Sequence, residues 1–179
     1  ITPDGQELTG TSSNDNLSGG VGDDTINGLV GNDTIDGGDG NDQIDGGDGD
    51  DTITGGEGND TLTGGSGNDR IDGGTGFPTD SGGGGDDLIR AGDGDDIVSA
   101  YGNSTIYLDA GDDIFEGPAG SARTDPGLII YGGDGNDQFT IVTVKTLEAG
   151  AGDDTVFIAS NDLSETPTPV SYTHLTLPT

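Results

Sequence analysis

A single aliphatic side chain returns at multiples of nine residues along the first hundred positions. It is Leu17, Ile26, Ile35, Ile44, Ile53, Leu62 and Ile71, then Ile89 and Val98. A half-buried strand alternates with period two and an amphipathic helix with a period near 3.6, so a spacing of nine marks a repeat and not one long element. Triplets such as Thr25-Ile26-Asn27 suit a very short strand with one apolar residue facing inward. The six residues that follow are mostly Gly, Asp and Asn. They suit a turn, because Gly supplies positive φ and Asn or Asp tolerates it.

Read from Gly10, the units are GTSSNDNLS, GGVGDDTIN, GLVGNDTID, GGDGNDQID, GGDGDDTIT, GGEGNDTLT and GGSGNDRID. GGTGFPTDS at 73–81 keeps the length and loses the pattern, and GGGGDDLIR and AGDGDDIVS resume it through Ser99. Asp fills the sixth position as Asp15, Asp24, Asp33, Asp42, Asp51, Asp60, Asp69, Asp87 and Asp96. Two nonamers make one coil of about 18 residues, so unit n stacks on unit n+2, with coils about 4.8 Å apart. The expected fold is therefore all-β: a solenoid of two short-stranded sheets around a thin apolar spine. One unit cannot bury its own apolar residue, so stability must come from stacking.

The expected divisions are an upstream edge or cap at 1–9, the regular roll at 10–99, a degenerate continuation at 100–160 with an insertion loop at 117–126, and a tail at 161–179. Within the continuation, 128–131, 139–144 and 155–158 read as longer strands. Asp113, Asp137 and Asp154 stand in the sixth position of later units as weaker candidate ligands. Residues 169–179 (PVSYTHLTLPT) look like the in-frame translation of a sequencing-library adapter, which would make His174, the one histidine, non-native.

Composition alone points elsewhere. Thirty-five acidic residues face four basic ones, the formal net charge is −31, and 27% of the chain is hydrophobic. Low hydrophobicity with high charge ordinarily leaves a chain disordered. The order of the residues overturns that, provided something neutralises the stacked turns. Two unit charges 4 Å apart repel by about 4 kcal/mol at an effective dielectric of 20. Hard oxygen donors suit Ca²⁺, with its six to eight ligands and flexible geometry, better than Mg²⁺. Transition metals would favour Cys or His, and the repeats contain neither. The acidity disfavours nucleic acid and anionic membranes. No apolar run is long enough to span a bilayer.

The units resemble the G-G-x-G-x-D-x-U-x nonapeptide of the RTX (repeats-in-toxin) family, closely over 10–99 and in scattered parts to residue 158. The resemblance implies a right-handed parallel β-roll of a secreted, extracellular bacterial protein, exported by a type I route and folded by calcium outside the cell. It implies ions between turns n and n+2, held by the sixth-position Asp and by carbonyls of the second- and fourth-position glycines. By position, these are Gly20, Gly22, Gly38, Gly40, Gly47, Gly49, Gly56, Gly58, Gly65, Gly67, Gly83 and Gly85. Asp24 pairs with Asp42, Asp33 with Asp51, Asp42 with Asp60 and Asp51 with Asp69, followed by Asp15 with Asp33 and Asp69 with Asp87. About six ions are expected. The degenerate unit at 73–81 is expected to fill a rung while losing its ion, since Phe77 and Pro78 replace the usual Asn or Asp followed by Asp.

No catalytic constellation accompanies this. The chain has neither an H-E-x-x-H zinc motif nor a G-x-S-x-G nucleophile elbow. The chain reads as a calcium-binding module and not an enzyme, with a catalytic domain belonging, if anywhere, to flanking domains of a larger protein. The alternative role is a spacer or ligand-binding segment of an adhesin or surface-layer protein. Open solenoid ends are expected to favour end-to-end self-association.

Overall fold

The computed structural model describes residues 5–74, 85–117, 127–141, 144–158 and 168–172. Among these, the strands of the regular half are β1 (Glu7–Thr9), β2 (Asn16–Val21), β3 (Thr25–Val30), β4 (Thr34–Asp39), β5 (Gln43–Asp48), β6 (Thr52–Glu57), β7 (Thr61–Ser66), β8 (Arg70–Asp72), β9 (Leu88–Asp93) and β10 (Ile97–Ser99). The later strands are β11 (Thr105–Ala110), β12 (Ile114–Glu116), β13 (Ile129–Tyr131), β14 (Gln138–Ile141), β15 (Thr146–Glu148), β16 (Asp154–Ile158) and β17 (Thr168–Tyr172). Odd-numbered strands β1 to β15 stack in one sheet, and even-numbered strands β2 to β16 in the other, with β17 beyond β16. Every pairing is parallel except β16 with β17. This is a β-solenoid of about seven coils with about 18 residues per coil.

Register follows the nonamer, as Ile26 lies opposite Ile44 and Ile35 opposite Ile53. The aliphatic column of one sheet faces that of the other, and side chains from Ile26 to Val156 form one buried spine. Downstream, the spine thickens. Leu108, Phe115, Leu128, Phe139 and Ile141 are all buried, where the upstream coils bury one Ile or Leu per strand. Each such side chain contributes roughly 1.5–3 kcal/mol when fully buried, so the later coils lean more on hydrocarbon. Outside the spine, Tyr107 and Tyr131 stack at 4.8 Å, with the Arg90 guanidinium 4.3 Å from the Tyr107 ring.

Two expectations are corrected. The unit at 73–81 fills no rung, because β9 pairs directly with β7 and β10 with β8. Gly74 has the positive φ of a second turn position and Gly85 that of a fourth, and Asp87 makes the sixth-position contact with Asp60, so nine more residues than usual separate β8 from β9. Pro78 and the rest of 75–84 lie outside the described residues. Restoring the nonapeptide pattern within 75–84 should therefore create no new ion site. Excising residues 75–83 instead leaves GGGGDDLIR as a standard unit. That deletion is expected to keep both the calcium stoichiometry by calorimetry and the β-sheet circular dichroism of the parent.

The second correction concerns 139–144. It is not one strand, because β14 ends at Ile141 and the chain crosses to the other sheet as β15. The apolar run reads as continuous because both flanks of the crossing face the spine. By contrast, 128–131 contains β13, though at three residues it is no longer than a short upstream strand, and 155–158 lies within β16. β1, within the 1–9 read as an upstream edge or cap, pairs with β3 and is the outermost strand of its sheet. Residues 118–126 of the expected insertion loop, and 173–179, lie outside the described residues.

The turns require positive φ at their second position, and two non-glycine residues occupy it: Leu29 at 80° and Asp109 at 71°. A left-handed conformation costs an L-residue roughly 1–2 kcal/mol. Leu29 is also 41% exposed, so its side chain recovers little by burial. Leu29→Gly is expected to stabilise the folded roll by about 1 kcal/mol, read as a higher thermal midpoint at fixed calcium.

Candidate metal centres

Each six-residue turn ends in an Asp whose two carboxylate oxygens have different fates. Oδ1 accepts the backbone N–H of the equivalent Asp one coil earlier, as Asp42 Oδ1 does from Asp24 at 2.8 Å. One column of turns steps through Asp24, Asp42, Asp60 and Asp87 in this way. The other runs unbroken through Asp15, Asp33, Asp51, Asp69, Asp96, Asp113, Asp137 and Asp154. The nine extra residues move the partner of Asp69 from Asp87 to Asp96, and Asp87 lies against Asp60. Asp137 and Asp154 are neighbours despite a spacing of 17, because the shortened half-coil lies on the opposite column. The three weaker candidates thus occupy the same environment as the rest: Asp113, Asp137 and Asp154 are fully buried.

Oδ2 is the informative atom. In Asp24, Asp33, Asp42, Asp51, Asp60, Asp69, Asp96, Asp113, Asp137 and Asp154 it is buried and has no hydrogen-bond partner. A buried ionised oxygen without a partner is costly, and native proteins almost always satisfy it. The first glycine of each unit explains its surroundings. A Cβ at Gly37 would collide with both Asp42 Oδ2 and the Gly55 carbonyl oxygen, and Gly28, Gly46 and Gly64 repeat the arrangement. Carboxylate and carbonyl therefore flank one narrow space that glycine keeps clear.

The glycines expected as ligands are those that turn the chain. Gly20, Gly22, Gly38, Gly40, Gly47, Gly49, Gly56, Gly58, Gly65, Gly67 and Gly85 all have positive φ. Their carbonyls face along the stack: a Cβ at Gly38 would strike the Gly20 carbonyl, and one at Gly40 the Gly22 carbonyl. Gly83 lies outside the described residues. No group of three or more carboxylate or imidazole side chains suited to a metal gathers among the described residues. The donors on offer are Asp carboxylates supplemented by backbone carbonyls. That set of hard oxygens fits Ca²⁺ and gives softer metals nothing to prefer.

Electrostatics registers the same deficit. Burial pushes Asp60, Asp96 and Asp137 up to about 6, and Asp69, Asp87 and Asp113 up to about 7. Asp42 and Asp51 are also raised, again chiefly by burial. The backbone N–H on Oδ1 pulls each of these down, and neighbouring carboxylates push it back up. Without a cation, the columns hold carboxylates that resist ionisation.

Position five carries a second ladder that the sequence pattern did not reveal. There the later coil donates to the earlier one, as Asn41 N–H does to Asp23 Oδ1 and Asn59 N–H to Asn41 Oδ1. Asn and Asp each offer that oxygen, which is why position five accepts both while position six keeps Asp. The first glycine of each unit was also missed as a site residue. Its signal was present, since it recurs without the positive φ that justifies positions two and four.

A parallel solenoid with two turn columns lined by buried carboxylates and carbonyls defines a metal-binding structural repeat. The family model described as the RTX calcium-binding nonapeptide repeat, in four copies, matches residues 9–44, 45–79, 81–101, 100–121, 129–140 and 146–157. The chain belongs to the RTX calcium-binding repeat family. Such a repeat is a structural, non-catalytic element. No curated protein and no solved structure matches the chain. Among the described residues, no helix is long and apolar enough to cross a membrane.

Proposed function

We propose that the chain binds a row of Ca²⁺ ions along each turn column, and that these ions complete its folding once the protein reaches calcium-rich surroundings outside the cell. The observation behind this reading is the set of buried, unpartnered Oδ2 atoms, most of them beside backbone carbonyls. Each ion would lie between consecutive Asp of one column, with Asp Oδ2 and turn carbonyls as ligands. The sequence suggested about six ions. The two columns offer three and seven Asp-to-Asp steps, so ten is the better number. Ten divalent ions would reduce the formal −31 to about −11, still acidic enough to disfavour nucleic acid.

The family's habit and this chemistry both support bacterial secretion. A chain this acidic stays extended where calcium is scarce and collapses where it is plentiful, which suits export through a narrow channel. Flanking domains would supply any catalytic or adhesive activity. Calorimetric titration of the metal-stripped chain tests the reading: saturable uptake of several Ca²⁺ is expected, and no uptake at millimolar calcium would refute it.

A further inference from the structure

Where the column of Asp24, Asp42, Asp60 and Asp87 meets the next coil, the sixth position is Ser104. Ser104 is fully buried, and its Oγ accepts the Asp87 N–H at 3.0 Å, the contact that Oδ1 of an Asp makes elsewhere. Its hydroxyl hydrogen has two acceptors in reach, the Tyr101 carbonyl at 2.6 Å and Asp87 Oδ2 at 3.3 Å. A serine has one oxygen, so it can keep the ladder contact and has none left to act as Oδ2. In agreement, Asp87 is absent from the aspartates whose Oδ2 is buried and unpartnered.

Beyond Ser104, the described residues of this column bring no carboxylate to the sixth position. Leu128 takes the sixth position, fully buried, and its carbonyl accepts the N–H of Lys145, which takes the position after that. The opposite end is closed as well. Gln6 stands one coil before Asp24, its N–H donates to Asp24 Oδ1, and its side-chain amide donates to the Gly19 carbonyl. Gly19 is a first-position glycine, whose carbonyl elsewhere flanks the space beside Oδ2. An N–H donor thus meets an oxygen that in the following coils has no such side-chain partner.

We infer that Gln6 and Ser104 are terminators that confine one row of ions to the coils between Asp24 and Asp87, while the other row continues to Asp154. The roll is then held by cations on both edges upstream, and by cations on one edge and hydrocarbon on the other downstream. This inference rests on the calcium reading above.

Restoring a carboxylate at the terminator tests it. In calorimetric titration of the full chain, Ser104→Asp is expected to bind one Ca²⁺ more than wild type and to melt at a higher temperature in saturating calcium. Ser104→Ala, which removes the hydroxyl without adding a ligand, is expected to keep the wild-type stoichiometry. Unchanged stoichiometry in Ser104→Asp, its failure to fold at saturating calcium, or loss of an ion in Ser104→Ala would each overturn the inference. If wild type takes up no calcium, the underlying reading fails, which these variants would not by themselves produce.

Discussion

Stripped of metal at neutral pH, the chain is expected to give the circular dichroism of a coil, and to acquire β-sheet on addition of millimolar Ca²⁺. Among the described residues, the unliganded roll would bury ten carboxylate oxygens with no partner. Each such oxygen costs at least about 1–3 kcal/mol, more when charged. The regular coils oppose that with a single Ile or Leu per strand. Domains are stable by only about 5–15 kcal/mol in total, so the deficit decides the outcome, and the binding free energy of the ions becomes folding free energy. Magnesium at equal concentration should do little, because it dehydrates reluctantly and demands an octahedron. A full β-sheet spectrum in excess chelator at neutral pH would contradict this. The downstream coils, with Phe115, Phe139, Leu108 and Leu128 in the spine, should be the last to open as calcium is withdrawn, which hydrogen exchange can locate.

Most of this architecture was legible in the sequence because each residue of the nonamer has one job. A period of nine places Ile26 on Ile44 and Asp24 on Asp42 without any knowledge of tertiary contacts. Legibility failed where length and pattern disagreed. The unit at 73–81 has the right length, so counting alone made it a rung; in the structure Asp86-Asp87 takes up the ladder contacts instead, supplying the acceptors and carboxylate that Phe77-Pro78 lacks. Asp154 is the opposite case: it follows Asp137 by 17 residues, one short of the coil period, yet the missing residue lies in the half-coil of the other column and leaves their contact intact. Ser104 went unremarked because a pattern that scores carboxylates sees only a gap. Its role follows from hydrogen-bond stoichiometry, which requires knowing that its neighbour is the Asp87 N–H.

Acidification of the metal-free chain is expected to promote folding, the opposite of its effect on most proteins. The sign follows from the buried columns. In the metal-free roll, Asp60, Asp96 and Asp137 titrate at about 6 and Asp69, Asp87 and Asp113 at about 7, raised chiefly by burial from an ordinary value of 3.8. Between 3.8 and these values, the folded state holds more protons than the unfolded one. Stability must therefore fall as pH rises through this window, and level off above about 7. Protonation removes the charge that the ion would otherwise balance, and a neutral carboxyl gains an O–H that can reach a turn carbonyl. Circular dichroism of the calcium-free chain should accordingly show β-structure growing from about pH 8 to about pH 5. Calcium affinity should move the other way, because protons and Ca²⁺ compete for the same oxygens. A metal-free β-sheet signal that instead increases with pH across this range would show that the buried columns do not govern folding.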